Sequence, residues 1–581
     1  MPFIDIYLTQ VVKESFQSLG FEAEESMCWV KTSDRPDLSD YQCSGALALG
    51  KKTNRNPQDL ALLLKENLTP VLAGVDVSIA GPGFLNFTLS CDFLFRHFDT
   101  TSPIVPNQSL EKTIFDYGGP NVAKPMHVGH LRSSIIGESL KRLFRYKGHK
   151  VIADIHLGDW GTQMGMLIVA LKQKRPDLPY FDKNFHGPYP DYSPVSLEDL
   201  QEIYPIISAA CKEDESLATE ARYATYELQQ GRPGYRALWQ HFVDISVADM
   251  RKNFDRLNVS FDHWFGESRY QDKIPSLIQQ FQEKGAVESS DGALIINVAD
   301  FSDKKEMPPL ILQKSDGGFL YATTDLATID ERIHVFKAER IIYVVDGRQR
   351  LHFEQVFRAA EKLGYKVRTD FIGFGTMNGP DNKPFKTRSG GAMRLEELID
   401  TLKEEAIKRM LENKSLDNFS VEEQKSIAER VGVAALKFAD LQHNPVQNYQ
   451  FDLKKFMSFE GKTGPYLLYA LVRIRSILEK SDQATTLPDS LGLLPVERLL
   501  FLKTMQAEEA FEKAYKNLAP HLICDYAFDL AQIFSRFYQE CNVINENNQD
   551  KKAIRLFLCK QAFQKLSLAL NLLGIEPVER M

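Results

Sequence analysis

Two stretches of this chain carry side chains of the types that handle phosphate. In GGPNVAKPMHVGHLRSS (118–134), His127 and His130 stand three residues apart with Gly129 between them, and Lys124 lies three residues upstream. In KPFKTRSGG (383–391), Lys383, Lys386 and Arg388 share a glycine-rich loop. A helix N-terminus leaves backbone N–H groups unpaired and carries partial positive charge, so it suits a phosphate. Two imidazole N–H donors on that first turn could stabilise charge developing at an attacked phosphorus, each donor worth on the order of 10²–10³ in rate. Gly129 leaves the backbone open to a flat ring or a phosphate. A basic loop on the other side could clamp a triphosphate and neutralise departing pyrophosphate. Alone, an H-x-x-H pair also suits helix capping, and a basic run suits a solvated face. The metal-binding pattern H-E-x-x-H is absent, and GKT (461–463) has Phe456 where a P-loop needs glycine.

These clusters must be held by a scaffold, and the order of elements supplies one. TIFDYG (113–118) reads as a strand, LRSSIIGESLKRLFRYKG (131–148) as a helix and KVIADIHLGDWG (150–161) as a strand, which is a parallel-sheet unit. Further sheet signals are GALIINV (292–298), PLILQ (309–313), FLYATTD (319–325), RIIYVVDG (340–347) and DFIGFG (370–375). Between the two groups, residues 170–285 read as a largely helical insertion. From Leu395 onward the periodicity is almost wholly helical. Before the proline-containing linker TSPIVPNQSL (101–110) lies a small α/β unit, with Gly81-Pro82-Gly83 as a turn between two strands. The expected fold is a multidomain α/β protein. It comprises an added N-terminal domain (1–108), a doubly wound, Rossmann-like parallel-sheet domain (109–394) and an all-α bundle (395–581).

Composition narrows the class. A chain of 581 residues is too long for one core. Its seven cysteines form no C-x-x-C pair, which argues against a disulfide framework or a structural zinc site and for the reducing cytoplasm. No apolar run approaches a membrane span. The net charge of −8 gives no support to nucleic-acid binding, yet leaves room for a local basic face.

Together the motifs resemble those of class I aminoacyl-tRNA synthetases. HVGH matches the family's first signature and FKTRS (385–389) is a degenerate form of its second. The match is closest to the arginyl branch, through GPNVAK, HLGDWGTQMG (156–165), YATTD (321–325), VVDGRQRLH (344–352) and the terminal PVERM, and it extends into DYQCSGALAL (40–49) and GPGFLNF (81–87). The resemblance implies activation of arginine with Mg2+–ATP, transfer to tRNA(Arg), a need for tRNA in the first step, no resident metal and a monomer. It assigns His127, Gly129, His130, Lys124, Lys386 and Arg388 to ATP. Asp116, Asn121, Tyr321, Asp325 and Gln349 go to arginine. Tyr466, Tyr469, Arg473, Tyr538 and Met581 are assigned to tRNA in the helical tail, and Phe84 and Asn86 to tRNA in the N-terminal domain.

The chemistry of these residues is compatible with a guanidinium, whose planar fork of five donors asks for carboxylates. Read without the resemblance, Asp325 could instead cap a helix, and tyrosines at helical spacing could be packing residues. A small-molecule nucleotidyltransferase and a non-enzymatic tRNA-binding paralogue are the rival functions. The first would release pyrophosphate without amino acid, and the second is expected to have lost one signature.

Overall fold

A computed structural model describes residues 3–22, 24–98, 110–315, 317–379, 382–383, 393–412, 419–481 and 492–581. The linker stretch 101–109 and the basic loop residues Lys386 and Arg388 lie outside them.

The centre of the molecule is a five-stranded, all-parallel sheet. Its strands are β1 (Lys112–Tyr117), β2 (Lys150–Leu157), β3 (His263–Gly266), β4 (Arg340–Asp346) and β5 (Arg368–Phe374), in the spatial order β5-β4-β1-β2-β3. The order reverses between β1 and β4, and the crevice beyond the carboxyl ends of those strands is where doubly wound folds bind ligands. Helix α1 (Val128–Tyr146) crosses the sheet between β1 and β2 and is buried along almost its whole length. It can lie so close because of Gly137, where a Cβ would come within 2.3 Å of the Tyr117 ring. Ser133 pins α1 to both switch-point strands: it accepts from the Gly118 N–H (2.8 Å) and donates to the Val344 carbonyl (2.6 Å).

Three parts of the sequence reading need correction. FLYATTD is no strand: Leu320 is the N-cap of helix α3 (Tyr321–His334), whose buried Ala322, Thr323, Leu326, Ala327 and Ile329 follow helical spacing. The short run of β-branched and aromatic residues is as compatible with the start of a helix as with a strand, and its length does not separate the two. GALIINV and PLILQ do form strands, but in a separate three-stranded antiparallel sheet, Glu288–Ser290, Ala293–Ile296 and Leu310–Gln313. The stretch 170–285 is helical through Leu197–Glu213, Glu215–Gln229 and α2 (Pro233–Arg256), but it also contains β3, an edge strand of the main sheet.

The N-terminal unit is a four-stranded antiparallel sheet with helices, and Gly81–Gly83 make its tightest turn, between Val75–Ala80 and Phe84–Leu89. After β5 come helices from Leu395–Glu412 and α4 (Val421–Leu441) to Gln549–Leu572, with a two-residue strand pair, Met377–Asn378 with Tyr449–Gln450, stitching them to the sheet domain. The three parts are not independently cored. A single hydrophobic cluster runs from Leu8 in the N-terminal unit through Leu140 and Phe144 of α1 to Leu558 and Leu566 of the last helix. Polar ties reinforce it: Tyr41 donates to Glu509 (2.8 Å), and Arg498 pairs with Asp40.

Candidate active site

His127 is the N-cap of α1, and the two histidines close a reciprocal cap. The Gly129 N–H donates to His127 Nδ1 at 3.0 Å, and the His127 N–H donates to His130 Nδ1 at 3.1 Å. Each ring therefore uses Nδ1 as an acceptor, which places the remaining proton on Nε2 in the neutral tautomer. Burial holds both imidazoles below their usual range, His130 at about 3, and the Lys124 charge adds to the effect. The capping reading and the phosphate reading are thus not rivals, because the cap fixes two Nε2–H donors. The two rings lie 4.0 Å apart, and a Cβ on Gly129 would meet the His127 ring at 2.7 Å.

The chain immediately after the basic loop is bound to this turn. Val128 N–H donates to the Met393 carbonyl (3.1 Å), Leu395 N–H to the Met126 carbonyl (2.9 Å), and His127 bridges Arg394. On the upstream side, Gly379 N–H donates to the Lys383 carbonyl (2.8 Å). The downstream anchor of the loop therefore sits at the first signature. Lys124 follows Ala123, which holds a left-handed φ of 63°, and its ammonium lies 4.7 Å from the Tyr204 ring centre.

On α3, Tyr321 and Asp325 are one turn apart. The capping reading for Asp325 fails, since the helix starts four residues before it. Its carboxylate instead accepts from His352 Nε2 at 2.6 Å, which raises the imidazole pKa. Asn121 is exposed beside Gly158, and Gln349 is exposed in the turn after β4.

Asp116 does not stand open for a ligand. Arg332 Nη2 lies 2.7 Å from both Asp116 and Asp154, and this buried arginine bridges β1 and β2 from beneath. Arg332 was not singled out from sequence, because its partners lie about 200 residues away.

The site residue that sequence reading missed is Glu267, in the short turn Glu267–Tyr270 after β3. Burial, then the charges of Asp159 and Asp325, push its carboxyl up to about 8. The same charge raises the Tyr321 hydroxyl, after burial. No hydrogen bond or ion pair holds this carboxyl among the described residues. Glu267 is thus coupled through its charge to Asp325, whose own partner is His352, and to Tyr321. The available signal was a glutamate at the carboxyl end of a parallel strand, hidden because β3 had been read as insertion.

The residues assigned to tRNA are elsewhere. Tyr469 and Tyr538 are 39 % and 43 % exposed, and Arg473 lies on both rings, at 4.5 and 4.9 Å. Tyr466 is half-buried, shares a hydrogen bond with Ser535 (3.1 Å) and packs on Phe528. Met581 packs against the core. Phe84 is half-buried. Asn86 is 3 % exposed and accepts from Gln42 (2.8 Å), so it is an internal strand residue and no contact surface.

Comparison with known proteins bears on this arrangement. Residues 101–453 match the model for "tRNA synthetases class I (R), catalytic domain", 467–581 that for the "DALR anticodon binding domain", and 7–89 that for the "Arginyl tRNA synthetase N terminal domain". The chain belongs to the arginyl-tRNA synthetases. An arginine–tRNA ligase of Alkaliphilus oremlandii is 44 % identical, with 99 % of each chain covered, and one of Maricaulis maris is 44 % identical, with 100 % of each covered. The crystal structure of the Plasmodium falciparum arginyl-tRNA synthetase superposes with a TM-score of 0.82 at 26 % identity over 100 % of both chains. Among the described residues, no group of three or more His, Cys, Asp or Glu could hold a metal, and no helix is long and apolar enough to cross a membrane.

Proposed function

We propose that the chain joins arginine to the 3′-terminal adenosine of tRNA(Arg) with the following division of labour. An oxygen of the arginine carboxylate attacks the α-phosphorus of Mg2+–ATP, the bond to the bridging oxygen breaks, and pyrophosphate leaves. A ribose hydroxyl of the terminal adenosine then attacks the arginyl carbonyl, and AMP leaves. His127 and His130 donate from Nε2 to the phosphate oxygens as negative charge shifts toward the leaving group. Gly129 gives the nucleotide access to the backbone. Lys124, Lys386 and Arg388 share the neutralisation of pyrophosphate, and Mg2+ arrives with ATP as co-substrate.

Glu267, Asp325 and Tyr321 take the guanidinium, with Asn121 and Gln349 at the rim. Asp116, occupied by Arg332, shapes the wall. A site built for a forked cation discriminates by about 10⁴–10⁵ against an analogue that leaves its acceptors unpaired, so lysine is rejected without editing. The elbow of tRNA meets residues 1–108 near Phe84, the catalytic steps belong to 109–394, and the anticodon meets 395–581 at Tyr469, Arg473 and Tyr538, supported by Tyr466 and Met581. Activation waits for tRNA, because α1 is clamped to the helical region. The enzyme works in the cytoplasm, in keeping with seven free cysteines, and as a monomer.

The observation that carries this reading is the reciprocal histidine cap, which fixes two neutral N–H donors at the start of α1. Arginine-dependent exchange of labelled pyrophosphate into ATP tests it, run with and without tRNA and with lysine as control. Exchange with arginine and tRNA only is expected. Exchange with lysine, or without any amino acid, would contradict it.

A further inference from the structure

Lys124 is fixed at its backbone and unclaimed at its charge. Val122 N–H donates to the Gly158 carbonyl (3.0 Å), and Ala123 N–H donates to the Ser246 hydroxyl of α2 (2.9 Å). With the left-handed φ of Ala123, these bonds set where the lysine leaves the chain. Its side chain is a flexible carbon stem, and among the described residues its ammonium makes no hydrogen bond or ion pair. It lies instead over the ring of Tyr204, on the insertion helix Leu197–Glu213. Leu200, Ile203, Tyr204 and Ile207 of that helix turn inward at helical spacing, and the first three pack on the cluster that holds Val122 and Ala123. A reciprocal cap between Ser196 and Asp199 anchors the helix start.

Tyr204 stands within reach of both halves of the proposed site. After burial, the Lys124 charge is among the causes that hold His127 and His130 below their usual range. The Tyr204 phenol, after burial and the Glu267 charge, contributes to raising the Tyr321 hydroxyl. An aromatic face is also a fitting support for a lysine that must meet phosphate. A carboxylate would cancel its charge and repel the nucleotide. The ring quadrupole attracts the ammonium and leaves its full positive charge and its N–H donors available.

We propose that Tyr204 is a positioning residue of the reaction: its ring holds the Lys124 ammonium toward the nucleotide phosphates, so the insertion helix takes part in activation without touching a substrate. The proposal rests on the synthetase reading above and adds to it the side chain that orders Lys124.

Pyrophosphate exchange with arginine, ATP and tRNA tests it in a series that changes the electrons of the ring and little else. Tyr204→Phe keeps the ring face. Phenylalanines with successively more fluorines at the same position weaken the quadrupole stepwise at nearly constant size. Tyr204→Phe should keep most of the exchange rate. The kcat should then fall along the fluorinated series, to a loss on the order of tenfold at its end and in Tyr204→Leu. The KM for arginine and the thermal midpoint should stay as in Tyr204→Phe throughout the fluorinated proteins, which a purely structural role would leave alike in rate as well. Equal rates across the fluorinated series, or a loss in Tyr204→Phe as deep as in Tyr204→Leu, would overturn the positioning role while wild-type exchange stood. Absence of arginine-dependent exchange in the wild type would overturn the synthetase reading itself.

Discussion

Arg132, two residues after His130, reaches from α1 to Asp440 on α4: Nε lies 2.9 Å from the carboxylate, and both side chains are buried. The same guanidinium donates to the Gln447 carbonyl (2.8 Å) and lies over the Tyr449 ring. The helix that begins with the histidine turn is therefore tied, within its first two turns, to the helical part of the molecule.

Breaking a buried pair by removing one partner typically costs about 3–5 kcal/mol, because the other charge is left unpaired. Asp440→Ala should lower unfolding free energy by about that much in a urea titration. It should also reduce the stimulation of pyrophosphate exchange by tRNA. A folded variant with unchanged stability and full tRNA stimulation would show that the link transmits nothing.

His130→Ala removes one Nε2–H donor and one half of the cap. Exchange of pyrophosphate should fall on the order of 10²–10³. Burial holds His130 at about 3, so the ring stays neutral across the working pH range and the acid limb of the wild-type rate profile should not come from it. Gly129→Ala should also slow exchange, since its Cβ would meet the His127 ring. Near-normal exchange in both variants would remove the histidine turn from the chemistry.

The reading from sequence captured what depends on neighbours along the chain. The β1–α1–β2 unit has its strands and helix close together in sequence, and the helix start at His127 is encoded in the turn itself. What escaped depends on distant partners. Arg332 gains its meaning from Asp116 and Asp154, Arg132 from Asp440, and Glu267 from a strand that joins the sheet only after about a hundred residues of helix. FLYATTD has the composition of a strand but is too short for periodicity to separate a strand from the start of a helix. Lys386 and Arg388, which sequence alone brings forward, lie outside the described residues.

Glu267 sets a pH dependence. Its carboxyl, ordinarily near 4.5, is raised to about 8, so at neutral pH it keeps its proton until a guanidinium arrives. Arginine affinity should rise with pH toward about 8 and level off above it, and Glu267→Gln should flatten the profile. Titration calorimetry in buffers of different ionisation enthalpy should show proton release when arginine binds at pH 7. Stability runs the other way: the folded protein holds a proton that the unfolded chain has lost, so this contribution is full below 4.5 and is lost as pH rises through about 8. Arginine binding with no proton release would contradict the assignment.

Arg473 is held over Tyr469 and Tyr538, and we expect an unpaired base to stack there. Arg473→Ala should weaken binding of tRNA(Arg) and reduce its salt dependence by about 0.7, the slope for one single-strand phosphate. Nitrocellulose retention of labelled tRNA at several salt concentrations measures both. Unchanged affinity and slope would move the anticodon surface elsewhere.

The most direct measurement is the KM for arginine in tRNA charging by Glu267→Gln and Asp325→Asn beside the wild type, with tRNA and ATP saturating. We expect each variant to lose affinity for arginine by at least tenfold, since hydrogen bonds to a charged group are worth about 1.5–3 kcal/mol. Wild-type KM in both folded variants would mean that the guanidinium binds elsewhere.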